Sequence, residues 1–383
     1  MHNRTDLPYG TLIVGILGAG QLARMMAESA SQLGIQVKIY ATSNTESAAL
    51  LVADTTVGDL TDLKSVLAFG QTVDVITLDH ELVPKETLDY LVSHGVVVYP
   101  NPKANIYAAN KSAMRMRLAD ISAPMPQWVN AENLQDAENF ANEVGYPFIA
   151  KSPTGGYDGR GVWQVRNQAE LSELKYPVLL EEKISFIREL SALVVRSPHN
   201  QAVCYPIVET VQQDGICVQV IAPAQNLNPE RASEAQQLAL KIAAELDVIG
   251  VMVVELFDTG NGPLLINELA MRPHNSGHWT QNGAITSQFE NHLRAVLDLP
   301  LGLPNMTATY CVMGNILGGS HLDLHRGLLH CLARDPELQI HLYGKQVKPN
   351  RKVGHINLVG DDLESLRERV QHATDFLAGK IDE

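Results

Sequence analysis

Over the first hundred residues, short runs of Val, Ile and Leu alternate with segments of helical period. Residues 12–17, 36–40, 73–78 and 96–99 read as buried strands, and 21–33, 61–69 and 84–93 as the helices between them. This alternation predicts parallel βαβ units with helices covering a sheet. Pro100-Asn101-Pro102 then ends the unit.

The pattern changes after a helix predicted over 103–119. Pro124 and Pro126 mark a boundary, and runs at 147–151, 161–166, 178–181, 190–196, 202–209 and 216–221 lie close together, as antiparallel strands do. A long helix over 230–246 precedes a hairpin, 251–257 with 264–268. A helix over 287–297 leads through Pro300 and Pro304 to a small α+β tail. The expected class is α/β and α+β: a Rossmann-like N-terminal domain over 1–102, a larger body over 103–298 with a glycine-rich insertion, and a small C-terminal domain over 299–383.

Composition narrows the field. The chain has 383 residues, 45% of them apolar and 19% charged, which suits a globular protein of two or three domains. Asp and Glu number 43 against 29 Lys and Arg, a formal charge of -14. Binding to duplex nucleic acid rests on a basic excess, so no nucleic-acid partner is expected. Cys204, Cys217, Cys311 and Cys331 form no C-x-x-C pair, so neither a zinc pattern nor a secreted disulfide framework is expected, and a reducing cytoplasm fits. No apolar run reaches the roughly 18 residues of a membrane span. The apolar run near the start continues into Gln21-Leu22-Ala23-Arg24, as a strand entering a helix does, and does not read as a signal peptide.

Five segments carry candidate chemistry. Gly15-Ile16-Leu17-Gly18-Ala19-Gly20-Gln21 joins a strand to a helix whose N-terminus can face an anion. The second strand ends Ile39-Tyr40-Ala41-Thr42, without the acid that holds a dinucleotide ribose, which disfavours NAD. Another phosphate-bearing ligand and a purely structural turn both stay open. The second segment, Lys151-Ser152-Pro153-Thr154-Gly155-Gly156-Tyr157-Asp158-Gly159-Arg160-Gly161, has four glycines in seven residues. It makes poor sheet and suits a flap whose N–H groups wrap phosphates, with a plain hairpin connection as the alternative. It lacks the ending of a Walker loop.

The third is a pair, Glu255 and Glu268, equidistant from a turn at 260–263 and therefore opposed across a ladder, roughly 5 Å apart. Like charges so placed destabilise a hairpin unless a cation or proton lies between them, and their oxygens suit Mg²⁺ carrying nucleotide phosphates. The alternative is a solvated pair on an exposed face. The fourth, Arg272-Pro273-His274-Asn275-Ser276-Gly277-His278-Trp279-Thr280, mixes donors and acceptors densely, as a small-molecule site does. Its histidines show no zinc spacing. The last, Lys345-Gln346-Val347-Lys348-Pro349-Asn350-Arg351-Lys352-Val353-Gly354-His355, places four cations in eight residues, either an anion pocket or a solvated loop.

Together with Asn267-Glu268-Leu269-Ala270 and Gly354-His355-Ile356-Asn357, these segments resemble the 5-(carboxyamino)imidazole ribonucleotide synthase family, carboxylase-type ATP-grasp ligases of purine biosynthesis. They run in order from about residue 12 to 358. The resemblance implies an ATP-grasp body with a lid subdomain over about 126–184. The reaction it implies joins ATP, bicarbonate and 5-aminoimidazole ribonucleotide, giving ADP, phosphate and the N5-carboxylated ribonucleotide, in a cytoplasmic homodimer without a membrane partner. It implies that Mg²⁺ sits on Glu255 and Glu268, that Lys111 and Lys151 are the phosphate-side cations, and that Asn267 orients a phosphate or a metal water. Glu181, Glu182 and Ile184 resemble the strand edge that pairs with adenine, and Glu189 the acid on the ribose hydroxyls. Gly156, Gly159 and Gly161 belong to the lid over the phosphates. Tyr157, Asp158, Arg160 and Arg272 are the catalytic set it implies, with Asp158 accepting a bond from the attacking amine. Gln21, Asp79, Glu81, Arg272, His274, Asn275, Lys345 and Arg351 frame the ribonucleotide.

Several positions depart from the family pattern. Lys111 stands where Arg is common, Thr77-Leu78-Asp79-His80-Glu81 where Thr-aromatic-Glu-Phe-Glu is usual, Gln212 where a His often contacts the nucleotide, and Met271 where a proline precedes Arg272. The alternatives are another ATP-grasp ligase, such as the formate-using glycinamide ribonucleotide transformylase, a Rossmann-type NAD oxidoreductase, and a non-catalytic nucleotide-binding regulator.

Overall fold

The computed structural model describes residues 8–155 and 161–382. Strand β1 (Ile13–Leu17), helix α1 (Gln21–Gln32), β2 (Gln36–Ala41), β3 (Thr55–Val57), α2 (Leu63–Gly70), β4 (Val75–Leu78) and α3 (Lys85–Ser93) form the first unit. Its sheet is parallel, in the order β3-β2-β1-β4, as the alternating pattern predicts. The strand expected over 96–99 contributes one parallel bridge, Val98 to Ile76, before the prolines turn the chain away.

The helix expected over 103–119 is two: α4 (Pro102–Ala109) and α5 (Lys111–Asp120). Asn110 breaks it, with φ -134° and ψ 108°, and caps α5 by accepting the N–H of Ala113. The break docks on the base of the glycine loop, where Asn110 bridges Thr154 and the Lys111 N–H donates to the Pro153 carbonyl at 2.8 Å. An interruption without Pro or Gly thus starts a helix at the site with Lys111 as its first residue.

The insertion comprises β5 (Trp128–Ala131), α6 (Leu134–Val144), β6 (Phe148–Lys151), β7 (Val162–Val165), α7 (Gln168–Ser172) and β8 (Val178–Glu182). Its four strands form an antiparallel sheet in the order β5-β8-β6-β7. The hydropathy pattern misses β5 and α6. Helix α6 buries a stripe of Ala137, Phe140 and Ala141, two of whose three residues are too small to stand out.

The remainder consists of β9 (Arg188–Arg196), β10 (Ala202–Cys204), β11 (Val208–Gln213), β12 (Ile216–Ala222), α8 (Pro229–Glu245), β13 (Gly250–Asp258), β14 (Leu264–Ala270), α9 (Thr280–Gly283), α10 (Gln288–Val296), β15 (Tyr310–Leu317), α11 (Leu324–Arg334), β16 (Gln339–Leu342), β17 (Lys352–Gly360) and α12 (Leu363–Ala378). The run expected over 202–209 splits in two at Tyr205-Pro206, since proline has no N–H for the ladder. The tail builds no sheet of its own. β12 pairs with β15, so β15, β17 and β16 extend one sheet of nine strands, β14-β13-β9-β11-β12-β15-β17-β16 with β10 beside β9.

Alternation along β9 and β13 separates core from site. Leu190, Ala192, Val194, Met252, Val254 and Leu256 bury one face against α8 and α5, each large side chain stabilising by about 1.5–3 kcal/mol. Glu189, Ser191 and Glu255 lie on the other face, Glu255 opposite Ser191. The units interlock elsewhere: Phe289 and Leu293 of α10, with Tyr343, complete the core over β1, β2 and α1. Among the described residues, no helix is long and apolar enough to cross a membrane.

Candidate active site

The β13–β14 hairpin is the foundation of the site. Glu255 lies opposite Glu268, as the spacing predicts, but the register does not continue unbroken to the turn. Leu256 pairs with Ile266, which leaves Asn267 as an extra residue on β14. Such a bulge re-aims side chains, and the Asn267 Oδ1 accepts a bond from Lys151 Nζ at 3.0 Å. Burial, then the charges of Glu268 and Glu189, push Glu255 up to about 7. Glu189, which bonds Gln212, is also raised, by burial first and by Glu268 after it.

Two lysines face these acids. Lys111 Nζ donates to Glu268 Oε1 at 2.7 Å. Lys151 Nζ meets Glu181 Oε2 at 2.8 Å. Burial alone would raise the Glu181 carboxyl, but Lys151 and Arg115 outweigh it and hold the group below its usual range. Arg115 is the residue that sequence reasoning overlooks. Fully buried, it donates Nε to Glu181 Oε1 at 2.7 Å. The signal was present: a cation on the inward face of α5, one turn after Lys111, between buried Met114 and Leu118.

The segment after β14 closes one side. Arg272 Nε reaches Glu81 Oε1 of the N-terminal unit at 2.8 Å. The His274 backbone is clamped by Gln288 of α10 through bonds of 2.9 and 2.8 Å. Its ring faces Ser276 Oγ at 2.8 Å on one side and Glu255 Oε1 at 3.5 Å on the other. Burial first, then Arg272 and Lys352, hold His274 well below the usual histidine range, so the ring is neutral. Lys345 Nζ donates to Gln21 Oε1, bringing the tail loop onto the N-terminal unit.

Among the other expected residues, Asp79 bonds the start of α1. Its Oδ2 accepts the Gly20 N–H and its Oδ1 the Ala23 N–H, each at 2.8 Å, so the carboxylate itself occupies the N-terminus of α1. A Cβ at Gly20 would stand 2.4 Å from Asp79 Oδ2, and one at Gly18 2.9 Å from the Asp79 Cβ. The glycines admit an internal carboxylate, as the structural alternative for this turn requires. The Asn275 amide is engaged with Asn315 through two reciprocal bonds of 2.8 Å, which tie its turn to β15. Arg351 is exposed and makes a 3.3 Å bond to the Gln346 carbonyl of its own loop. Glu182 ends β8 and Ile184 follows it, and the Gly161 carbonyl closes the glycine loop by accepting the Ser152 N–H at 2.8 Å. Gly156, Tyr157, Asp158, Gly159 and Arg160 lie outside the described residues.

No group of three or more His, Cys, Asp or Glu side chains among the described residues is arranged as a metal site. A pair suffices for Mg²⁺, which takes one or two carboxylates and completes its shell with phosphate oxygens and waters. The all-oxygen donor set and the repulsion that raises Glu255 fit such an ion.

Family models match three consecutive stretches of the chain. They are a ribonucleotide synthetase preATP-grasp domain over 12–109, an ATP-grasp domain over 116–289 and a phosphoribosylaminoimidazole carboxylase C-terminal domain over 311–369. The N5-carboxyaminoimidazole ribonucleotide synthase of Mycobacterium leprae is 46% identical over 391 aligned positions, covering 96% of this chain and 89% of that one. The chain belongs to the N5-carboxyaminoimidazole ribonucleotide synthase family. The synthase of Corynebacterium ammoniagenes is 41% identical, covering 96% of this chain and 92% of its own. Among solved structures, the Aspergillus clavatus synthase in complex with ADP and 5-aminoimidazole ribonucleotide superposes with a TM-score of 0.89 at 33% identity, covering 98% of this chain and 100% of that one. The Thermus thermophilus synthetase superposes with a TM-score of 0.87 at 34% identity, covering 97% and 99%.

Proposed function

We propose that this ATP-grasp ligase carboxylates 5-aminoimidazole ribonucleotide on its exocyclic amine, using ATP and bicarbonate and releasing ADP and phosphate. The observation that carries the reading is the opposition of Glu255 and Glu268 at a bulge flanked by Lys111 and Lys151, in a chain of this family. Bicarbonate attacks the γ-phosphoryl group, ADP leaves, and the resulting carboxyphosphate delivers CO₂ to the amine. Phosphoryl transfer mainly needs alignment and charge neutralisation. Lys151, held between Glu181 and Asn267, supplies one fixed cation, and Lys111 a second. Glu255 and Glu268 would hold Mg²⁺, whose divalent charge would add to that of the two lysines at the phosphates.

Neutral His274, braced by Gln288 and Ser276, meets Glu255 and so links the acidic pair to the Arg272 segment. The glycine loop excludes water from carboxyphosphate, and Asp158 takes the proton that the amine loses. Lys345 and Arg351 bind the ribonucleotide phosphate against the N-terminal unit. The assembly is a homodimer in the cytoplasm, a reading supported by the family resemblance and by the absence of paired cysteines from the sequence.

Coupled ADP release tests the proposal. Turnover should require the ribonucleotide and rise with bicarbonate. Equal ADP release with formate in place of bicarbonate would move the chain to the formate-using ligases.

A further inference from the structure

Four side chains beneath the site close into a ring. Arg115 bonds Glu181, Glu181 pairs with Lys151, Lys151 donates to the Asn267 side chain, and Arg115 returns to the Asn267 backbone. Its NH1 donates to the Ile266 carbonyl and its NH2 to the Asn267 carbonyl, both at 2.8 Å. Successive carbonyls of a regular strand point to opposite edges, so one guanidinium can hold two in a row only where the strand is distorted, as it is at the Asn267 bulge.

β14 is also the outermost strand of the nine-stranded sheet; among the described residues no further strand lies beyond it, and Pro124 alongside accepts the Ile266 N–H but has no donor for these carbonyls. Left unpaired in the interior, each carbonyl would carry a desolvation penalty, and the bulge would relax toward a regular register. Carrying the turn-side register of Leu256 with Ile266 past the bulge would put Val254, and not Glu255, opposite Glu268. The planar fork of Arg fits two adjacent acceptors while its Nε keeps a third, whereas a lysine offers a single point of charge.

We infer that Arg115 is a positioning residue: it holds the β14 bulge in the register that opposes Glu255 and Glu268, and so sets how tightly the site takes a divalent cation with ATP. This rests on the ATP-grasp reading above, but it makes Arg115 act through the backbone of β14 and not through contact with a substrate. It separates two functions of one side chain. The charge keeps Glu181, and through it Lys151, in place, and the fork keeps the bulge.

The test is Arg115→Lys, which keeps the charge and removes the fork, with Arg115→Gln as a second variant. Calorimetry of ATP binding across a Mg²⁺ series reads the effect without turnover, and steady-state kinetics and thermal melts accompany it. For Arg115→Lys we expect roughly tenfold weaker binding of ATP in saturating Mg²⁺, less than a twofold change in binding with EDTA, and an unchanged KM for aminoimidazole ribonucleotide. kcat should fall, and added Mg²⁺ should restore part of it. Wild-type Mg²⁺ dependence in Arg115→Lys would overturn the inference, because charge alone would then suffice. So would equal losses with and without Mg²⁺, or the loss of a melting transition in both variants, either of which makes Arg115 a residue of the core alone. Failure of wild-type protein to release ADP with bicarbonate would sink the functional reading while leaving the calorimetric comparison intact.

Discussion

Asp79 and Glu268 each bring a carboxylate to a segment that the sequence marks as chemical, and they end in opposite states. The Asp79 oxygens accept two backbone N–H groups of α1, so its charge is satisfied from within the protein. Glu268 faces another carboxylate across a hairpin, with one lysine as its counter-ion, and raises the pKa of its partner. A charge at a motif therefore says little until its partners are counted. The glycine turn pairs its N–H groups with an internal carboxylate, whereas the hairpin sets two carboxylates against each other.

The largest expected effect tests the hairpin. Glu268→Gln should lower kcat by about three orders of magnitude or more, since a metal's share of phosphoryl charge stabilisation is worth several kcal/mol. Its melting temperature should hold or rise, because one of two opposed charges is gone. Near-normal turnover at saturating Mg²⁺ would erase the contrast with Asp79.

Arg351 extends the comparison to cations. With a single 3.3 Å bond to its own loop, its guanidinium has donors to offer a phosphate. Arg351→Ala should raise the KM for aminoimidazole ribonucleotide by roughly ten- to a hundredfold, the range of a charge-assisted contact. ATP affinity measured calorimetrically should not move. If it does, the basic loop serves the other substrate.

Asp79→Ala should do the reverse. Losing the cap of α1 costs about 1–2 kcal/mol, visible as a melt lower by a few degrees, with both KM values within about twofold of wild type. A selective rise in the ribonucleotide KM at unchanged melting temperature would return Asp79 to the substrate site.

The smallest effect is on pH dependence. His292 accepts the Val251 N–H on Nδ1 at 3.0 Å and meets Thr77 Oγ1 through Nε2 at 2.7 Å, which fixes the neutral tautomer between β13 and β4. Burial lowers its pKa to about 3. The unfolded chain protonates this ring below its ordinary value of 6.5 while the fold does not, so stability is complete above pH 6.5 and falls as the pH drops toward 3. His292→Gln should remove about one proton from the slope of stability against pH in that window. An unchanged slope would show that another group carries it.

Parallel βαβ order and the opposition of Glu255 with Glu268 were legible because both follow from period and spacing. What escaped depends on partners distant in sequence. The glycine turn looked open because Asp79 arrives from about sixty residues away, as its bonds to Gly20 and Ala23 show. The bulge could not be read from β14, since the groups that satisfy it belong to Arg115 on α5. The break at Asn110 was half visible: asparagine is a favoured N-cap, but only docking on Pro153 and Thr154 selects it over a continuous helix.

During synthesis, β12 leaves the ribosome well before the strand that covers its edge. Roughly ninety residues separate Ala222 from Tyr310, so at about 5–20 residues per second the edge stays bare for roughly 5–20 s. Val220, Ile221 and Ala222 are buried once β15 has paired, and until then they form an apolar template for neighbouring nascent chains. A chain halted between β14 and β15 carries the acidic hairpin and an open sheet at the same time. Translation through that interval is when this protein is most exposed to aggregation, and the interval ends with the arrival of β15.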